Sequence, residues 1–264
     1  MAEATLRSSS VHGPSGSPRV LEDKFSDNVV RKAPSTALYF PNFLSEAEAN
    51  LLWKQVYAAP KPKWTQLSAR RLQQWGGIPQ EKGMVLEKLP SWLQQVADRL
   101  SAIDLFETVR PNHVLVNEYE AGQGIMPHTD GPLYYPVVCT VNLGSHTLLD
   151  FTPRRSASDD SEENGGGCGG CMKHVDGDGN FSLLLEPCSL SVVAADLYTD
   201  YLHGIAERAQ DDLQGMTVCN LDMCSSSVRN QEDPIVLQRS TRLSLTIRHV
   251  LKTVRLPLRL GLSR

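Results

Sequence analysis

Between residues 113 and 250 the chain carries a series of short apolar segments with the pattern of strands, several of them alternating every second residue, and this limits the fold more than any other feature of the chain. HVLVNEY (113–119), PVVCTVNLG (136–144), HTLLDF (146–151), FSLLLE (181–186), SLSVVAADLY (189–198) and RLSLTIRHV (242–250) read as half-buried or fully buried strands. A period of two cannot be satisfied by a helix, because side chains two apart lie about 200° apart around it. Many short strands in one domain need a way to close their edges, and barrels and jelly rolls are the usual solutions.

Two helices are predicted ahead of the strands. In SEAEANLLWKQVYAA, Ser45 and Glu48 have capping-box spacing, and Leu51, Leu52 and Val56 recur at helical intervals. In SWLQQVADRL, Trp92, Val96 and Leu100 share a side. Helices followed by a run of strands indicate an α+β fold. With 264 residues, the chain suits one large domain with tails. Residues 1–35 are rich in Ser, Pro and charge and are expected to form a loose lead-in to a domain spanning 36–255, followed by a tail at 256–264. Residues 153–180 are Gly-rich and acidic and are expected to form a mobile insertion; SSSVRNQED (225–233) is expected to be a shorter loop.

A net charge of −4 gives no support for nucleic-acid binding by bulk charge. No apolar run reaches the roughly 18 residues of a membrane helix, so no membrane partner is expected. Six cysteines in a chain this long do not make a disulfide framework, which points to the cytoplasm and nucleus. Cys168 and Cys171 have CxxC spacing, but a single such pair is half a zinc site, and a flexible loop is the better reading.

Several polar residues fall where an apolar strand pattern does not need them. Along 113–119, His113, Leu115, Asn117 and Tyr119 point one way. Nine residues later, His128 and Asp130 can project together from an extended segment, two of the three ligands of a facial triad for non-haem Fe(II). HxD alone is a weak motif. The third ligand would have to come from elsewhere: His113 and His146 are not excluded by pattern, and His203, after a strand-like stretch and before a glycine, is well placed. In RLSLTIR, Arg242, Ser244, Thr246 and Arg248 share one face. Arginines facing a dry interior need an anion, and a dicarboxylate would supply one.

The ordered set N-x-Y (117–119), H-x-D (128–130), a late histidine (203) and R-x-S-x-T-x-R (242–248) resembles the AlkB family of Fe(II)/2-oxoglutarate dioxygenases, over residues 36–250. APKPKWTQLSARRLQQWGG, PNHVLVNEYEAGQGIMPHTDGPLYYP and LGSHTLLDF resemble one branch of it in particular. The resemblance implies a double-stranded β-helix (jelly-roll) core with the N-terminal helices packed on one sheet. It implies Fe(II) held by His128, Asp130 and His203, the catalytic residues, and 2-oxoglutarate held by Asn117, Tyr119, Arg242, Arg248 and Ser244. It implies O2 as oxidant and oxidative demethylation of N-methylated nucleic acid, RNA or single-stranded DNA. The long interval from Asp130 to His203 departs from the pattern, and the substrate does not follow from the core.

Nucleic acid is expected to meet Lys61, Lys63, Trp64, Arg70, Arg71 and Trp75, where basic residues interleave with aromatics. The alternative for that stretch is a surface loop with its two tryptophans packed on the core. A monomer is expected. Two rival functions remain at this level: the same chemistry on a protein or other substrate, and a nucleic-acid-binding module with little catalysis.

Overall fold

The computed structural model describes residues 23–33, 37–154, 179–230 and 235–254. The first predicted helix forms as α1 (Glu46–Tyr57). Its capping box is complete: the Ser45 backbone N–H donates to the Glu48 carboxylate at 2.8 Å, and the Glu48 N–H donates back to the Ser45 hydroxyl at 3.3 Å. The second forms as α2 (Ser91–Ala102), burying Leu93, Val96, Ala97 and Leu100.

Before and between these helices run β1 (Ala37–Phe40), β2 (Trp64–Gln66), β3 (Arg71–Trp75) and β4 (Met84–Val85). After α2 come β5 (His113–Tyr119), β6 (Ile125–His128), β7 (Val137–Gly144), β8 (Thr147–Pro153), β9 (Phe181–Leu185) and β10 (Leu190–Ala194). The last described elements are α3 (Ala195–Thr199), β11 (Tyr201–Ile205), β12 (Gln210–Asp212), α4 (Ser226–Arg229), β13 (Val236–Gln238), β14 (Arg242–Arg248) and β15 (Thr253–Val254).

Two sheets carry the fold. The larger has seven strands in the order β1-β10-β7-β14-β5-β3-β2, the smaller four in the order β6-β11-β8-β9. All their pairings are antiparallel. From β5 onward the chain crosses repeatedly from one sheet to the other. Strands far apart in sequence thereby become neighbours; β14, near the C-terminal end, lies between β5 and β7.

Period-two alternation decides what each face meets. On β14, Leu243, Leu245 and Ile247 point outward into an apolar layer shared with Leu52 and Val56 of α1 and with Leu93 and Leu100 of α2. Each such aliphatic side chain contributes roughly 1.5–3 kcal/mol on burial. Arg242, Ser244, Thr246 and Arg248 point inward between the sheets, and all seven residues of the strand are buried. The apolar part of that inner space is filled from both sheets, by Tyr119, Val138 and Val193 on one side and Phe151, Phe181, Leu183 and Ile205 on the other.

Four local expectations are corrected. SLSVVAADLY is not one strand: the sheet ends at Ala194, and Ala195, at φ +51°, turns the chain into α3. KPKWTQLSARRLQQW is not a loop but contains the β2–β3 hairpin. The segment 225–233 begins with the single turn of α4. Within the expected lead-in, Val30 and Ala33 are buried beside Ala37 and Tyr39, and Val29 bridges Leu38. Residues 1–22, 155–178, which include CGGC, and 255–264 lie outside the described residues. No described helix is long and apolar enough to cross a membrane.

His113 faces the interior at the far end of β5, opposite Arg248, and neither ring nitrogen has a hydrogen-bond partner. Burial, aided by the Arg248 charge, pushes its pKa down to about 3, so the folded ring is neutral. The unfolded chain binds this proton near pH 6.5 and the folded chain does not. Stability is therefore complete above about pH 6.5 and falls by up to ~1.4 kcal/mol per unit as pH drops toward the folded pKa. His113→Leu is expected to flatten that part of the stability–pH curve in chemical denaturation. An unchanged slope would place the proton elsewhere.

Candidate functional site

The inward polar residues of the large sheet meet the end of the small sheet around a cavity of about 260 Å3, just below the ~300–1,000 Å3 usual for small-molecule sites. Asn117 and Tyr119 come from β5, His128 from the end of β6, His203 from β11, and Arg242, Ser244, Thr246 and Arg248 from β14; Asp130 follows β6, and Thr140 joins from β7. All eight residues singled out from sequence as ligands of metal or co-substrate line this one space.

His128 and His203 are direct cross-strand partners, their ring centroids 4.6 Å apart. Gly204 makes this approach possible. A Cβ at that position would stand 2.9 Å from the Pro127 nitrogen and 3.0 Å from the Ile125 carbonyl oxygen, inside contact distance of backbone that cannot give way. His128 is oriented by a 2.9 Å contact between Nδ1 and the Met126 carbonyl, which leaves Nε2 as the ligating atom. Asp130 lies 3.7 Å from His203 Nε2 through one oxygen, while its other oxygen is paired with Arg248. Gly131, at φ +92°, turns the chain immediately afterwards, and the Tyr198 hydroxyl donates to its carbonyl at 2.6 Å. Burial pushes the His203 imidazole down to about 4, against the opposing pull of Asp130; a neutral imidazole is the form that binds a metal. Among the described residues no three His, Cys, Asp or Glu side chains are yet close enough to enclose an ion. Ligation by all three asks Asp130 to turn from Arg248 toward the imidazoles.

At the other end sits Arg242. Its Nη2 donates to Asn142 Oδ1 at 2.6 Å, and its guanidinium stands 5.5 Å from the centre of the Tyr119 ring. Nε and Nη1 are buried without a hydrogen-bond partner. Burial lowers its pKa to about 10, which still leaves it charged at neutral pH. A buried cation with idle donors beside a cavity is costly unless an anion arrives there. Arg248 likewise has an unmatched Nε and lies 4.7 Å from the centre of the Tyr134 ring. The residues present thus fit both groups expected from the sequence: a His/Asp/His set with Arg248 beside it for a metal, and Arg242 with its idle donors at the other end for a dicarboxylate.

Asn142 was not singled out from the sequence. It is fully buried on β7 opposite Ser244, and its amide donates to the Ser189 hydroxyl at 3.1 Å. Its signal in the sequence is a polar residue at an inward position of PVVCTVNLG, where the pattern alone calls for an apolar one. His146, left open as a third ligand, is elsewhere: its Nε2 is 3.3 Å from Asp211. Asp211 is gripped by Arg239 through two contacts of 2.7 Å and by Arg208 at 2.8 Å.

The expected nucleic-acid contacts divide. Alternation on β3 places Arg71 and Trp75 on the helix side of the large sheet, together with Trp64. Arg71 makes contacts of 2.6 and 2.9 Å with Glu118 and covers the Trp64 ring at 4.2 Å. Trp75 donates to Gln73 at 2.9 Å and meets Trp92 of α2 edge-on. Lys63 sits over the Trp75 ring at 4.4 Å. The two tryptophans are therefore packed on the core, as the alternative reading of that stretch had it, and do not reach the cavity. Of the six expected residues only Arg70 lines it, with Nε donating to Asn117 Oδ1 at 3.1 Å.

The chain matches the model of the 2OG-Fe(II) oxygenase superfamily over residues 69–248. It is 48% identical, over 88% of its own length and 93% of the other's, to a Danio rerio protein named "Probable RNA/DNA demethylase ALKBH6". It is 25% identical to an uncharacterized protein of Acanthamoeba polyphaga mimivirus, over 62% of this chain and 60% of that one. The solved structure of OsALKBH1 aligns with a TM-score of 0.49 at 12% identity, covering 81% of this chain and 96% of that one.

Proposed function

The chain belongs to the AlkB family within the 2OG-Fe(II) oxygenase superfamily, and we propose that it is an oxidative demethylase of N-methylated RNA or single-stranded DNA. The observation that carries this reading is the pairing, in one cavity, of a converging His128/Asp130/His203 set with a buried Arg242 whose Nε and Nη1 have no partner. The alternating two-sheet path of β5 to β11 and β14 is read as a double-stranded β-helix, with both groups among the residues that line its inner space.

His128, Asp130 and His203 would hold Fe(II). Arg242 would bind the far carboxylate of 2-oxoglutarate through its idle donors, with Asn117, Tyr119 and Ser244 completing the hydrogen bonds and Arg248 balancing charge near Asp130. When held there, iron and 2-oxoglutarate would supply the oxidising power of O2, 2-oxoglutarate going to succinate and CO2 while an N-methyl carbon is hydroxylated and lost as formaldehyde. The chain's own contribution is positional. The apolar wall of Val138, Leu149, Leu185 and Val193 lines the cavity and excludes water beside the polar groups. The Asn142–Arg242 contact fixes the guanidinium before the acid arrives, so little orientational freedom remains to be lost. Tyr198, through Gly131, steadies the turn that carries Asp130. The name of the Danio rerio relative supports nucleic acid as substrate.

Succinate release from 2-oxoglutarate, measured with purified protein, Fe(II) and ascorbate, is expected to rise on adding methylated single-stranded oligonucleotides and not unmethylated ones. Turnover indifferent to the oligonucleotides would keep the oxygenase and move the substrate to another class.

A further inference from the structure

The charges lining the cavity do not balance. Three guanidinium groups, Arg70, Arg242 and Arg248, face it, and among its described lining residues Asp130 is the only carboxylate. That leaves two positive charges in excess. A divalent metal and a dianionic acid cancel one another, so loading both leaves the excess unchanged. Arg248 already answers to Asp130, and Arg242 lies at the floor against Asn142. Arg70 is the remaining cation. It stands where the β2–β3 turn, closed by the 2.9 Å bond from the Leu67 N–H to the Arg70 carbonyl, meets the cavity. Its neighbour Arg71 is neutralised by Glu118 on the opposite face. Arg70 has no carboxylate within 4 Å among the described residues; the one hydrogen bond of its side chain there is the neutral one to Asn117, made by Nε.

We infer that Arg70 selects the charge of the methylated group, so that the cavity takes a neutral, carbonyl-bearing base and rejects a cationic one. This rests on the demethylase reading and sharpens it. Methylation at a ring nitrogen of adenine or cytosine leaves the base positively charged at neutral pH. Methylation at the ring N–H of uracil or guanine leaves it neutral, with a carbonyl oxygen next to the methyl group. A guanidinium fork donates well to such an oxygen. Held within several ångströms of a cationic ring in a partly desolvated site, it repels that ring enough for at least about tenfold discrimination.

The test uses full-length protein loaded anaerobically with Fe(II) and 2-oxoglutarate. Single-stranded oligonucleotides carry one N3-methyluracil, N1-methylguanine, N1-methyladenine or N3-methylcytosine, with unmethylated controls. Affinity is read by fluorescence anisotropy, and succinate is measured after admitting air. The neutral pair is expected to bind at least about tenfold more tightly than the cationic pair and to stimulate turnover more. Arg70→Gln collapses that ratio, Arg70→Glu inverts it, and Arg70→Lys, which keeps the charge, preserves its sign. A preference for the cationic pair in the native protein overturns the inference. So does an Arg70→Gln that weakens all four equally, which would make Arg70 a phosphate contact. A raised KM for 2-oxoglutarate with an unchanged ratio overturns it too, because Arg70 would then serve only to hold Asn117. Stimulation without any charge preference removes this inference and leaves the demethylase. Neither binding nor stimulation by any methylated oligonucleotide removes both.

Discussion

Asp130→Ala is expected to abolish 2-oxoglutarate turnover and to weaken Fe(II) binding by more than ~100-fold, beyond the loss usual for a residue that merely supports a ligand. Asp130 supplies the one carboxylate among the described lining residues of the cavity, stands 3.7 Å from His203 and answers the Arg248 guanidinium. Removing it also strands a buried cation, which costs about 3–5 kcal/mol of stability when one member of such a pair is deleted. The two effects separate in the double variant Asp130→Ala/Arg248→Met. Apolar replacement of the stranded arginine restores much of the melting temperature, while turnover and metal affinity stay lost. Succinate formation, Fe(II) titration and thermal melts on the three proteins decide it; undiminished turnover in Asp130→Ala would remove the metal assignment.

Arg242→Met is expected to raise the KM for 2-oxoglutarate by roughly 100-fold or more and to leave the unliganded protein as stable as before, or more so. The affinity loss follows from two idle donors, Nε and Nη1, each placed for a charge-assisted bond of about 1.5–3 kcal/mol to a carboxylate. The stability result has the opposite sign because, without that anion, Arg242 is a desolvated cation whose one hydrogen bond is to Asn142. A structural arginine would give the reverse pattern, a lower melting temperature with KM unchanged. Titrating 2-oxoglutarate against succinate release, alongside melts with and without the acid, distinguishes the two. The native protein alone should gain melting temperature on adding the acid.

The helices were legible because each carries its own period, and the first a start signal too: Ser45 and Glu48 close a capping box that is local in sequence, and the α2 face follows from helical spacing of its apolar residues. The sheet strands were legible for the same reason. Strand ends were less so. SLSVVAADLY remains apolar past Ala194, and only the left-handed backbone at Ala195 shows where the strand stops. The β2–β3 hairpin was missed because its polar and aromatic residues alternate around a sheet face that becomes apolar only once α1 and α2 cover it. That same covering misled the reading of Trp64, Arg71 and Trp75. Basic and aromatic residues in one short stretch have the composition of a nucleic-acid surface, but a one-residue step along β3 decides which of them face the cavity, and only Arg70 does.

What the sequence by itself determined was local: the two helices, the period of the strands, and the residue types that a metal and a dicarboxylate need, in an order that already resembled a family. What only the tertiary structure decided was convergence. Nothing within RLSLTIR says that its polar face is the inner one, because alternation is symmetric until a second sheet covers one side and two helices the other. Nothing within DYLHGIA says that His203 rather than His113 or His146 meets His128. That choice is made by strand register, through an antiparallel β6–β11 pair drawn close by Gly204, and register depends on contacts between residues 75 positions apart. The physical reason is the range of the forces. Caps and periodicity act within a few residues, whereas a buried cation such as Arg242 and an approach such as His128–His203 exist only after distant strands have excluded water between them.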